Sequence, residues 1–145
     1  MPEIQINYLA VIIAVVANFI LGFIWYTPLF GRIWAKEMGF DPDEKPPGSV
    51  MARGMIFMVI GNFFLAYVFA HNIAVWDPET WGLGPSEMSN IANIASAAFF
   101  TWLGFFLPVD LGAVAWEKKS WKLFGINTSY HFLSLVVVAA ILIYM

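Results

Sequence analysis

Cysteine is absent from this chain of 145 residues, which excludes disulfides, thiolate nucleophiles and cysteine-based metal sites. Charge is scarce as well. Only 12% of the residues are charged, against roughly a quarter in a soluble domain, while 61% are hydrophobic, so a fold with an ordinary wetted surface is excluded. The net charge of -3 hides no basic stripe, and nucleic acid is not an expected partner. HExxH, G-x-S-x-G and phosphate-loop signatures are all missing, and His71 and His131 fall in opposite halves of the layer described below, too far apart to share a metal. Neither an enzyme, nor a metal site, nor a cofactor is expected.

What is present is apolar sequence in four long runs, at about 8–28, 50–71, 91–109 and 124–145. At about 1.5 Å per residue each is long enough for the roughly 30 Å of hydrocarbon in a bilayer. The chain therefore reads as an all-α membrane protein with one four-helix transmembrane domain over residues 1–145, and the lipid bilayer is its first partner. The first run is expected to be a retained helix and not a secretory signal: Glu3 precedes it without any Lys or Arg, and the run is longer than a typical signal core. Its second half, with the segment that follows (Asn18 to Trp34, NFILGFIWYTPLFGRIW), organises the rest. It combines an amide, a glycine one turn on, the pair Trp25-Tyr26, a break expected at Pro28, and Arg32 and Trp34 at its end.

All seven Lys and Arg sit in or beside the first and third connections: Arg32, Lys36, Lys45 and Arg53 in one set, Lys118, Lys119 and Lys122 in the other. The second connection, 72–90, holds Asp77, Glu79 and Glu87 with no basic residue. The positive-inside rule then places the first and third connections in the cytoplasm, and both termini outside. Short amphipathic stretches on that side, one carrying Phe30, Ile33, Trp34 and Met38 and the other Trp116 and Trp121, are expected to lie in the interface. Trp25, Tyr26, Trp34, Trp116 and Trp121 are expected there as anchors. Ser49 is the expected cap of the second helix. The first and third helices both reach a proline, Pro28 and Pro108, before a tryptophan-plus-basic segment, which would suit a parallel repeat of two hairpins.

Each helix carries a small or polar stripe at helical spacing, from which Ala14, Gly22, Gly61 and Gly104 are expected at packing contacts. Four short helices enclose little interior, so a homo-oligomer is expected. Asn18, Asn62, Thr101 and His131 each fall roughly 12 to 13 Å inside the basic end by helix rise, forming a polar layer across the bundle. His131 brings an imidazole, the side chain whose ordinary titration spans neutral pH. Asp110 is expected at a solvated helix end, out of reach of His131, whose partner is expected to be Asn18 or Asn62. Two functions stay open. Amides and hydroxyls bonding across helices for about 0.6 to 2 kcal/mol each would make the layer glue in a structural or accessory subunit. Intramembrane ionisable groups also mark pathways, which would make it a binding or permeation site for a small solute or ion.

The pattern Asn18-x-x-x-Gly22-x-x-Trp25-Tyr26, followed by Pro28, Phe30, Gly31 and Trp34, resembles the small bacterial membrane proteins of domain of unknown function 1761. Trp102-Leu103-Gly104-Phe105 is similar to that family's second aromatic and glycine patch. The resemblance implies a multi-pass protein of a bacterial cytoplasmic (inner) membrane, with no catalytic residues to carry over. Small multidrug exporters also have four short helices, but resemble one another in a membrane-embedded glutamate on the first, where this chain has Asn18; a cation exporter of that kind is disfavoured.

Overall fold

The computed structural model describes residues 4–145, all helix and connections, with no strand among the described residues. Helix α1, Tyr8–Ile24, starts where the Asn7 side chain accepts a bond from the Ala10 N–H at 3.1 Å. It does not stop at Pro28. Proline has no N–H and its ring collides with the carbonyl four residues back, and the chain accommodates this with one π-helical turn, Trp25–Leu29, closed by Phe30 N–H bonding to Trp25 O at 2.9 Å. A short helix α2, Gly31–Glu37, follows directly.

Helix α3, Gly48–Trp76, begins one residue before Ser49: Pro47 occupies the cap position, so Ser49 is not the cap. A 3₁₀ turn, Pro78–Trp81, is held by Asp77 accepting from Glu79 N–H and closed by Gly82 in the left-handed region at φ 72°. Helix α4, Asn90–Thr101, is capped by Ser89. It passes through a second π turn, Trp102–Phe106, into α5, Leu107–Trp116. Again a proline, Pro108, follows a register change instead of a break. Helix α6, Trp121–Tyr144, is capped by Ser120.

Four spans result, Tyr8–Leu29, Gly48–Trp76, Asn90–Trp116 and Trp121–Tyr144, each long and apolar enough to cross a membrane. The third runs seven residues beyond Val109, because a proline in the first turn of a helical segment costs no hydrogen bond. That extension matters below, since it takes Asp110 off the helix end.

The bundle packs through small residues. α6 lies against both α1 and α4, and α1 also against α3. Ala14, Ala66, Ala98 and Ala139, one from each span, are all fully buried beside Val11, Phe69, Ile94, Leu135 and Val138. In lipid there is no water to drive helices together, so this close approach of backbones supplies the cohesion. The alanine core occupies the half of the bundle away from the basic connections. In the other half, α3 stands apart: every residue from Gly48 to Gly61 is exposed, and a Cβ at Gly54 or Gly61 would meet nothing within 4 Å.

Candidate functional site

Where α3 stands apart, the interior is built by α1, α2, α5 and α6, and it is polar. The two π turns present aromatic donors to three successive residues of α6. Trp25 Nε1–H donates to Ile126 O at 3.0 Å, Tyr26 O–H to Asn127 Oδ1 at 3.0 Å, and Trp102 Nε1–H to both Thr128 O and Thr128 Oγ1, at 3.1 and 3.0 Å. Buried indole and phenol groups need such partners. Trp25 and Tyr26 thus bond into the bundle: the π turn carries the chain past Pro28 in helical form, and both rings are held half-buried against α6. Trp34 packs edge-on against Tyr26, with centroids 5.9 Å apart. Trp116 and Trp121 are exposed.

One turn further along α6, His131 Nδ1 meets Asp110 Oδ2 at 2.9 Å. This overturns the expectation that Asp110 is out of reach and that His131 pairs with an amide. The depth estimate placed Asp110 at a helix end, but α5 continues to Trp116, six residues further, so Asp110 is inside the span and only 8% exposed. The Phe106 ring lies 5.0 Å from the imidazole and the Tyr130 ring 5.8 Å. Asp110 and Asn127 also line a cavity of about 180 Å³ shared by α5, α6 and Met38 just after α2, with Glu117 and Lys119 among its walls. One water needs only about 10–15 Å³ of such space. Chemically, the Asp110 carboxyl and the His131 imidazole set a hydrogen-bonded pair of polar groups at the cavity, an arrangement whose oxygen acceptors suit a cationic or hydrogen-donating ligand.

The remaining residues of the anticipated layer divide. Asn18 Nδ2–H donates to Asn62 Oδ1 at 2.8 Å, both side chains buried. Asn18 Oδ1, Asn62 Nδ2 and the Tyr130 hydroxyl have no hydrogen-bond partner among the described residues. Thr101, half-buried at the entry to the second π turn, makes no side-chain hydrogen bond among the described residues. Asn18 and Asn62 are thus brought together, while His131 belongs to the pair with Asp110.

Gly22 lies where a Cβ would be 2.9 Å from the Tyr130 hydroxyl, and Ala14 is fully buried. Gly61 and Gly104, expected at packing contacts, have nothing within 4 Å of a would-be Cβ, because α3 is splayed at one and the π turn faces outward at the other. His71 bonds to Tyr67 O at 2.8 Å on its own helix. Among the described residues no three His, Asp or Glu converge as metal ligands.

Asn127 and Tyr130 are given no role by the sequence, and Asp110 is expected there only as a solvated helix end. The signal that could have found Asp110 was the apolar stretch Leu111 to Trp116 beyond it, which contains no proline and continues the helix.

Comparison with curated proteins and with solved structures gives no match. The family described as "Protein of unknown function (DUF1761)" has a model that matches residues 9–143, nearly the entire chain, and the four-span protein with its Asp110–His131 pair belongs to that family.

Proposed function

We propose that the protein is a small-solute or ion binding and permeation bundle, not an enzyme, and that its site is the cavity over Asp110 and His131. The observation that carries this reading is the buried carboxylate itself. Ionisable side chains inside a membrane span are costly, and where they occur they pair and commonly line pathways. A bundle held only by packing has no need of a carboxylate at the wall of a cavity. The carboxyl oxygens of Asp110 favour a cationic or proton-donating solute, with Asn127 as a further polar contact.

The proposal includes an orientation. The basic connections lie in the cytoplasm and both termini outside, in a bacterial inner membrane, so that the cavity opens to the cytoplasm. It also includes self-association, since α3 leaves its first half unpacked within one chain.

A second reading has its own support. The Asn18–Asn62 bond sits among buried residues between α1 and α3 and needs no solute to explain it, as in a structural or accessory subunit.

The natural lack of cysteine allows a direct test. Ala113→Cys places one thiol in the cavity wall. A small cationic thiol reagent is expected to modify it faster than an anionic one of equal size, and Asp110→Asn is expected to erase that preference. Vesicles containing the protein should also show a proton or cation leak that Asp110→Asn reduces. No charge preference, together with no leak above protein-free vesicles, would sink the site and leave the scaffold.

A further inference from the structure

A second, separate concavity lies between α2 and α6, outside the Asp110 cavity. It is a groove of about 460 Å³ lined by Phe30, Ile33, Lys122, Gly125, Ile126 and Ser129. Its chemistry is graded along its length. Lys122 stands in the first turn of α6, and Ser129 lies seven residues deeper, roughly 10 Å by helix rise. Between them the walls are apolar, and Gly125 leaves the floor open, since a Cβ there would meet nothing within 4 Å. The deep end makes no polar demand, because the Ser129 hydroxyl donates back to Gly125 O and Ile126 O of its own helix.

The shallow end does make one. The ion pairs among the described residues are Arg32–Asp43 and His131–Asp110, which leaves Lys122 without an anionic partner.

We propose that this groove holds an acidic phospholipid of the surrounding bilayer, its phosphate at Lys122 and the start of one acyl chain along Phe30, Ile33, Gly125 and Ile126. A soluble polar ligand would find no hydrogen-bonding groups in the body of the groove. A peptide would find no free backbone edge. A lipid meets both requirements, a cation at headgroup depth and a hydrocarbon trough leading inward, and each cation at a membrane surface attracts acidic lipid electrostatically.

The test uses the whole protein in nanodiscs of phosphatidylcholine containing a minor fraction of phosphatidylglycerol, with lipid retained after detergent extraction read by native mass spectrometry. Wild type is expected to retain phosphatidylglycerol well above its bulk share. Lys122→Gln should lower retention to the bulk share, while Lys122→Arg should keep it. Gly125→Leu fills the floor and should abolish the retained lipid, whereas Gly104→Leu, on a glycine equally open but elsewhere, should not. Circular dichroism confirms that each variant stays helical. Equal retention of both lipids by wild type would overturn the proposal, as would full retention in Gly125→Leu. A Gly125→Leu variant that keeps its lipid but loses self-association would assign the groove to a second copy of the chain, and would overturn it too.

Discussion

At the scale of single residues, two small positions in this bundle have opposite surroundings. Gly22 is pinned by the Tyr130 hydroxyl, so any side chain there must displace a buried ring, whereas Gly104 faces outward. Gly22→Leu is therefore expected to destabilise by about 1 to 3 kcal/mol, the usual range for overpacking, and Gly104→Leu to change stability little; thermal melts in detergent read the difference. Gly82 is unsuitable as a control, since its φ of 72° would strain any side chain. The Asp110–His131 pair makes a second comparison. His131→Ala leaves a buried carboxylate without its hydrogen bond, and the single change should cost about 1 to 3 kcal/mol. Adding Asp110→Asn should recover part of that loss. A double-mutant cycle with no coupling would mean that the two groups act independently.

At the scale of elements, both prolines are absorbed by π turns, and both turns bring aromatic donors to α6. The first turn also depends on a glycine. A Cβ on Gly31 would sit 2.6 Å from the Tyr26 carbonyl, in backbone that cannot move aside without shifting the turn. Gly31→Ala is thus expected to disturb the contacts of Trp25 and Tyr26 with Ile126 and Asn127, lowering the melting temperature and red-shifting the tryptophan emission as the indole becomes wetter. Gly48→Ala, at a helix start with open space around it, should leave both unchanged. An unaltered spectrum for Gly31→Ala would show that the turn tolerates the clash. Part of this was legible beforehand: the prolines and the aromatic pair announced a special junction. Its geometry was not, because a proline in an apolar run suits a break, a kink or a register change alike, and packing against α6 selects among them.

At the scale of the whole molecule, the sorting of every Lys and Arg to one end makes orientation testable. Single cysteines replacing Lys45 and Lys119 should react with a membrane-impermeant reagent only when the cytoplasmic face is opened, and one replacing Trp81 should react in intact cells. The reverse pattern would invert the protein. The sequence by itself determined the number of spans, because apolar length against bilayer thickness is a local property of each run. It determined the sorting of charge between the two ends for the same reason. Only the tertiary structure decided which polar groups meet. Helix rise measured from a marker gives depth, but it says nothing about rotation or about where a helix ends. Asn18 and Asn62 were reachable by that arithmetic, whereas Asp110 was not, since its position depended on α5 running on to Trp116 and on a π turn setting the face that α5 shows to His131.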